Sequence, residues 1–167
     1  MKLYHGSVVE VRKPSLHYGR KKTDFGKGFY TTTQPEQAEK WSMIKQDRAK
    51  APKRIVSIYE FDESLLKDPN IRIREFHGVD EAWLNFVTDC RKADAAMHDY
   101  DIVFGPVAND NVFATVNQYE NGFLNAEAAI AQLKAYKTYD QLSFHTMKVI
   151  GALKFVESYE VSDLMIY

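Results

Sequence analysis

The order of short strand-forming segments along the chain is the feature that most restricts its fold. Segments rich in β-branched and aromatic residues recur from residues 1–7 to residues 155–162, and turn-forming residues bound most of them. Helical patterns separate only some of these segments. Because a doubly wound parallel sheet needs a regular alternation of strand and helix, this order predicts an α+β domain instead.

Two segments show how differently the strands are expected to be buried. Residues 54–62, RIVSIYEFD, are largely apolar at both sets of alternating positions, which predicts a central strand buried on both faces. Residues 71–76, IRIREF, alternate isoleucine with arginine, which predicts a strand with one exposed face. The sheet is therefore expected to have a buried centre and a polar edge.

Polar caps and a proline mark the starts of the predicted helices. Pro35 occupies the first turn of a helix predicted over residues 34–49, and Asp80 and Asn125 are candidate caps of two more. The helix after Asn125 carries an apolar stripe, which comprises Ala128, Ala129, Leu133 and Tyr136. Residues 107–120 fit either a strand or a helix.

Composition narrows the class of protein. The 167 residues fit one domain over residues 1–167, and a net charge of −1 argues against general binding of nucleic acid through phosphate neutralisation. Cys90 is the only cysteine, so no intramolecular disulfide can form, and we interpret Cys90 as a packing residue. No apolar run has the length of a signal-peptide core or approaches the roughly 20 residues that cross a bilayer, so we expect a cytoplasmic protein without a membrane partner.

The segment 24–30, DFGKGFY, raises the question of a nucleotide-binding loop. Its Gly26-Lys27-Gly28 matches neither the phosphate-loop pattern GxxxxGK[ST] nor the dinucleotide pattern GxGxxG, and by itself it indicates a turn. It ends a long basic loop whose cations are either solvated or form a strip for a pyrophosphate, with Arg20 as first choice because a guanidinium matches phosphate geometry. These cations are Arg12, Lys13, Arg20, Lys21, Lys22 and Lys27.

Four residues near the N-terminus each allow a structural and a functional interpretation. His5, at the end of a strand, either hydrogen-bonds in the core or contacts a ligand. Gly6 has no Cβ, so a flat, amide-bearing ring could approach its backbone closely. Tyr30 and Trp41 are either core aromatics or a clamp for a planar heterocycle.

The remaining polar residues give no metal or triad pattern. His145 shares a face with Gln141, at the exposed head of a predicted strand, if that strand is regular. We interpret His17, His77 and His98 as surface residues because their surroundings are polar. The sequence contains no HxH or HExxH pattern and supports no Ser/His/Asp triad, so we expect no metal site.

In their order, these motifs resemble the catalytic domain of the poly(ADP-ribose) polymerases. His5-Gly6-Ser7 match the family's His-Gly-Ser, residues 25–30 match its Phe-Gly-Lys-Gly-aromatic-Tyr segment, and Trp41 falls at its second stacking aromatic. Asp140-Gln141-Leu142 take the place of its Asn-Glu-Tyr, and residues 153–155 match its last strand. Within the ADP-ribosyltransferase superfamily, the chain looks most like the bacterial DUF3990 group.

The resemblance implies an ADP-ribosyltransferase fold, in which two small, mostly antiparallel sheets form a split β core with flanking helices around an NAD cleft. It implies transfer of ADP-ribose from NAD to an acceptor with release of nicotinamide, and no metal. The catalytic set would be His5, Tyr30 and Gln141. The residues that bind NAD would be His5, Gly6, Ser7, Arg20, Tyr30 and Trp41.

Two positions depart from the family's pattern. Gln141 stands where the family has a catalytic glutamate, and an amide carries no charge and cannot act as a base. Ala38 stands where a serine binds the nicotinamide amide. Chain elongation is therefore not expected, whereas transfer of a single ADP-ribose remains open.

Three functions remain open from the sequence. The first is a mono-ADP-ribosyltransferase, whose kind of family also suggests a bacterial toxin with an antitoxin protein as partner. The second is an NAD- or ADP-ribose-binding module that has lost the chemistry. The third, an RNA 2′-phosphotransferase, would need more basic and histidine residues in the pocket. The acceptor, whether protein, nucleic acid or small molecule, is not indicated.

Overall fold

The computed structural model of the protein describes residues 1–19, 23–93, 98–108, 110–136 and 138–163. The elements are β1 (Lys2–Ser7), β2 (Phe29–Thr31), α1 (Pro35–Ala49), β3 (Ile55–Glu60), a 3₁₀ turn (Glu63–Lys67), β4 (Ile73–Glu75), α2 (Glu81–Lys92), β5 (Ile102–Pro106), α3 (Asp110–Glu120), α4 (Ala126–Leu133), β6 (Asp140–Phe144), α5 (Met147–Ile150) and β7 (Lys154–Glu160). This order confirms the α+β class. No helix in the described ranges is long and apolar enough to cross a membrane.

The strands form two sheets, and most of the pairs are antiparallel, as predicted. The first sheet has the order β1-β3-β7 and the second has the order β2-β6-β5-β4, in which β4 and β5 are parallel. β3 lies at the centre of the first sheet, and its residues from Val56 to Tyr59 are buried. The apolar character of both its faces therefore predicted its position correctly.

Within the described residues, one isolated β-bridge joins the two sheets, at Tyr4 in β1. Tyr4 and Thr32 exchange two backbone hydrogen bonds of 2.9 and 3.0 Å. Continued in the same antiparallel register, this bridge would place Gly6 opposite Tyr30, but within the described residues the bridge is isolated and no ladder follows it. The strands separate beyond it, and we call this gap between Gly6 and Tyr30 the split.

Side chains on the two faces of the second sheet enter different cores. Leu142 and Phe144 pack with residues of the first sheet, including Leu3 and Tyr59. The other face packs against α2, α3 and α4, where Trp83 and Val103 are fully buried. Gln141 and Ser143 point toward this second core because side chains alternate along a strand.

The helix boundaries confirm the predicted caps and correct one stripe. The Asp80 carboxylate accepts the N–H of Trp83, and Asn125 Oδ1 accepts the N–H of Ala128, both at 2.8 Å. α4 ends at Leu133, so Tyr136 lies beyond it and is 44% exposed. The prediction that Tyr136 belongs to the buried stripe was wrong because the chain leaves the helix one turn earlier.

Residues 107–120, which fitted either a strand or a helix, include α3. Its buried residues Val112 and Val116 are four apart, as one face of a helix requires. Asn109 lies outside the described residues.

Candidate functional site

His5 reaches across the split from β1. Its Nδ1–H donates to the backbone oxygen of Tyr30 at 2.7 Å, and its ring stacks on Phe29 with centroids 4.1 Å apart. Burial lowers the pKa of His5 well below its usual value, the Lys45 charge lowers it further, and the Tyr30 carbonyl opposes both. Because Nδ1 carries the proton of the neutral ring, Nε2 is left as a hydrogen-bond acceptor.

Gly6 is required by helix packing. A Cβ at this position would lie 1.9 Å from the backbone oxygen of Ala38 and 2.8 Å from the backbone nitrogen of Ser42. The absence of a side chain therefore lets α1 lie directly on β1. The sequence had suggested that a ligand approaches this backbone closely, and helix packing is by itself a sufficient reason for the glycine.

The peptide groups of Gly6 nevertheless face the split. Both backbone groups of Tyr4 point toward Thr32, and alternation along an antiparallel strand turns those of Gly6 to the same side. Lys45 Nζ, from α1, donates to the Gly6 carbonyl at 2.6 Å. A ligand in the split would meet this carbonyl and the amide of the same residue.

Trp41 lies on the face of α1 that reaches the split. It is half-buried and precedes Lys45 by one helical turn, so the two side chains share a face. Ala38, which is fully buried, contacts β1 on the neighbouring face. Within the described chain, the rings of Trp41 and Tyr30 do not contact each other.

The Tyr30 hydroxyl anchors the turn formed by residues 23–28, which we call the glycine loop. It accepts the N–H of Phe25 at 2.9 Å, donates to the Gly26 carbonyl at 2.5 Å and lies 2.9 Å from Thr23 Oγ1. Burial raises the pKa of Tyr30 far above its usual value, so the hydroxyl stays protonated. Its ring meets the edge of His145 with centroids 6.2 Å apart.

Two histidines hold the same loop from the other side. His145 Nδ1–H donates to the Lys27 carbonyl at 2.8 Å, and His98 Nε2–H donates to the Phe25 carbonyl at 2.7 Å. Gly26 has φ +85°, and a Cβ on Gly28 would lie 2.7 Å from His145. The segment is therefore a turn fixed by side chains, which explains both glycines without a bound phosphate.

The assignment of His98 to the surface was wrong. His98 is half-buried, and its ring lies within 5.5 Å, centroid to centroid, of Phe86, Tyr100 and His145. Its neighbours in sequence are polar, but the fold brings it against the backbone of Phe25, which is 73 residues away. Contacts of that range leave no local sequence pattern.

Ser143 and His145 form a serine–histidine pair that is structural. The Ser143 hydroxyl lies 2.7 Å from His145 Nε2 and donates to it, because His145 Nδ1 donates to a carbonyl. Burial lowers the pKa of His145 to about 4. Ser143 is fully buried, so no substrate can reach it as a nucleophile.

Gln141 is buried inside its sheet, contrary to the expectation of an exposed strand head. It is 2% exposed and lies opposite Gly105 in the neighbouring strand β5. Its Nε2 donates to Asp24 Oδ2 at 3.0 Å and to the Pro106 carbonyl at 3.2 Å. The side-chain oxygen forms no hydrogen bond within the described part of the chain.

Asp24 is a residue of this region that sequence reasoning missed. Its Oδ2 also accepts the N–H of Ala108 at 2.8 Å. Burial raises the pKa of this carboxyl, while the Ala108 N–H, Arg91 and Gln141 oppose the shift. The available signal was an acidic residue at the head of the glycine turn, with no helix behind it to cap.

The structure places two more of the predicted residues. Ser7 is half-buried at the end of β1, and its side chain is on the same face of the strand as that of His5. Arg12 pairs with Glu10 at 2.6 Å and lies 5.2 Å from the Phe155 ring centroid in β7, the far edge of the first sheet. Arg12 is therefore engaged away from the split, and Arg20, Lys21 and Lys22 lie outside the described residues.

Cys90 is not a candidate nucleophile. Cys90 is buried in α2, as expected of a packing residue, and burial raises the pKa of its thiol to about 12. In the ranges that the structure describes, no three histidine, cysteine, aspartate or glutamate side chains lie close enough to hold a metal ion.

Two mostly antiparallel sheets that separate beyond the Tyr4–Thr32 bridge define an α+β protein. A family model described as "Protein of unknown function (DUF3990)" matches residues 1–155, so the chain belongs to the DUF3990 family. No curated protein and no solved structure matches the chain.

Proposed function

We propose that the protein is a mono-ADP-ribosyltransferase that uses NAD as a substrate and has the ADP-ribosyltransferase fold. The observation that carries this proposal is the split itself. The peptide groups of Gly6 face it from β1, Tyr30 lies across it on β2, and the α1 face with Trp41 borders it. A peptide edge beside two aromatics is suited to an amide-bearing planar ring such as nicotinamide.

Each of these groups has a role in the proposed complex. The nicotinamide amide pairs with the backbone of Gly6, and its ring lies between Tyr30 and Trp41. His5 Nε2, the acceptor nitrogen of a neutral imidazole, accepts a hydrogen bond from a hydroxyl of the adenosine ribose.

The proposed reaction breaks the bond between ribose C1′ and the nicotinamide nitrogen. Positive charge develops on the ribose as nicotinamide leaves, and a nucleophile of the acceptor then forms a bond to C1′. Fixing the leaving ring and the ribose lowers the barrier because the reacting atoms are already oriented. The acceptor, and an antitoxin partner that would inhibit a toxin, belong to the same proposal.

An NAD- or ADP-ribose-binding module without turnover is the second candidate. Gln141 carries no charge, and both hydrogens of its amide are donated to Asp24 and Pro106. In addition, Lys45 already donates to the Gly6 carbonyl. These contacts favour a pocket that binds the nucleotide and then reacts with it slowly or not at all.

Nicotinamide release from NAD, with and without cell lysate as a source of acceptor, tests the proposal. We expect release by the wild type and a loss of about 5- to 10-fold in kcat/KM for Trp41→Ala, since one stacking partner contributes about 1–1.5 kcal/mol. Ile44→Ala is the matched control because Ile44 is on the same helix and 42% exposed. Trp41→Phe should retain most of the activity.

The outcomes separate the two candidates. If the wild type binds NAD, Trp41→Ala weakens this binding, and no nicotinamide is released with any lysate, the binding module is favoured. Equal effects of Trp41→Ala and Ile44→Ala would remove Trp41 from the site. If the wild type neither binds NAD nor releases nicotinamide, both candidates fail.

A further inference from the structure

A reaction that generates positive charge on a ribose is favoured by a negative charge beside it. Gln141, at the position where the resembling family has a carboxylate, provides none. Its amide instead donates to a carboxylate of this chain, since Gln141 Nε2 lies 3.0 Å from Asp24 Oδ2. The charge absent from residue 141 is thus found one hydrogen bond away.

Asp24 is held with one oxygen engaged and the other available. Oδ2 accepts the amide of Gln141 and the N–H of Ala108, whereas Oδ1 makes no hydrogen bond in the described part of the chain. The side chain is half-buried and thus retains some access to solvent.

The strand register places Asp24 beside the face of the second sheet that carries Tyr30 and Gln141. Tyr30 lies opposite Ser143, and Gln141 is two residues before Ser143, so the side chains of Tyr30 and Gln141 share one face. The Tyr30 hydroxyl accepts the N–H of Phe25, the residue after Asp24. Asp24 therefore lies between the two side chains that the resemblance assigns to catalysis.

The pKa of Asp24 is raised overall by burial, and a neighbouring cation opposes that shift. Burial raises the pKa of Asp24, but the Ala108 N–H, the Arg91 guanidinium and the Gln141 amide all stabilise the charged form. Arg91 lies over the Phe113 ring at 3.9 Å from the centroid, and its Nη1 is buried without a hydrogen-bond partner in the described chain. Its charge therefore acts on Asp24 through space.

We propose that Asp24 supplies the negative charge beside the nicotinamide ribose of NAD, and that Gln141 is the positioning residue that holds it. The inference rests on the proposed function for the identity of the ligand. The bond between C1′ and the nicotinamide nitrogen breaks, and its electron pair neutralises the ring. The acceptor's nucleophile bonds to C1′, and its proton passes to the Asp24 carboxylate and then to water.

An exchange of the two side chains across their hydrogen bond tests this assignment. Asp24→Asn keeps an oxygen for the Ala108 N–H but removes the charge, and we expect nicotinamide release to fall by about 100-fold or more. Adding Gln141→Glu to that variant restores a carboxylate on the other side of the same bond and should recover at least about 10-fold. Asp80→Asn is the control, because it removes a carboxylate that accepts one backbone N–H, in the cap of α2.

Binding measurements separate the charge from the reaction. The ring of NAD is cationic and that of NADH is neutral, so the wild type should prefer NAD and Asp24→Asn should lose that preference. If the wild type releases nicotinamide and Asp24→Asn does so at a similar rate, the assignment of Asp24 is overturned while the proposed function stands. If no nicotinamide is released, the assignment is still supported when the wild type prefers NAD over NADH and Asp24→Asn abolishes that preference. The assignment is overturned when Asp24→Asn keeps the preference or when the wild type binds neither nucleotide.

Discussion

The two faces of strand β6 differ in a way that separates stability from function. Leu142 and Phe144 pack on one face into a core of apolar side chains. On the other face Gln141 and Ser143, followed by His145, are hydrogen-bonded to groups from distant parts of the chain. Both faces are buried, so exposure to solvent does not explain the polar one.

Buried polar groups are costly unless they are paired, and a strand that needed only stability could carry apolar residues on both faces. The partners on the polar face are the glycine loop and Asp24, which the hydrogen bonds hold in fixed positions. The comparison indicates that one face supplies burial and the other positions a loop beside the split. Three measurements can break or sharpen this division.

The largest effect is expected on the apolar face. Phe144→Ala removes a fully buried ring and should lower the free energy of unfolding by about 3–5 kcal/mol, measured by urea denaturation. Ser143→Ala, one residue earlier on the polar face, should cost only about 1 kcal/mol. If Ser143→Ala is as destabilising as Phe144→Ala, the polar face is itself a main source of stability and the division fails.

Acid should weaken the polar face through His145. The folded protein keeps its ring neutral down to a pKa of about 4, whereas the unfolded chain takes up the proton near pH 6.5. The free energy of unfolding should therefore fall by roughly 2 kcal/mol as the pH falls from 6.5 to 4. The groups that face the ring are Ser143, His98 and the Lys27 carbonyl.

His145→Gln should flatten this pH dependence in urea titrations at pH 7, 5.5 and 4.5. The pKa of buried His5 is lowered in the same direction, so part of the dependence will remain in the variant. His77→Gln, at an exposed position, is the control. If the free energy of unfolding of His145→Gln depends on pH as that of the wild type does, the His145 ring does not titrate as its burial beside Ser143 predicts.

Tyr30→Phe should lower the free energy of unfolding by about 1 kcal/mol, because it leaves the N–H of Phe25 without its partner. Its effect should be local, with faster amide hydrogen exchange at residues 23–28. Tyr119→Phe is a matched control, since its hydroxyl pairs with Asn85 at an exposed site. Unchanged exchange in Tyr30→Phe would mean that the two histidines alone fix the loop.

Local signals in the sequence predicted elements well and contacts poorly. Asp80 and Asn125 marked helix starts because a cap acts within three residues, and β3 was recognised from its own apolar pattern. The Gln141–Asp24 contact joins residues 117 positions apart, and nothing near either residue encodes the other. The resemblance could assign Gln141 to the site, but it had no position for Asp24.

The close approach of α1 to β1 changes how a substitution at residue 6 should be interpreted. Any side chain there would meet the helix backbone before it met a ligand. A loss of activity in Gly6→Ala would therefore report a displaced helix and, with it, moved Trp41 and Lys45 side chains. Contact between NAD and the Gly6 backbone has to be tested by changing the ligand's amide, for example with a nicotinic acid analogue.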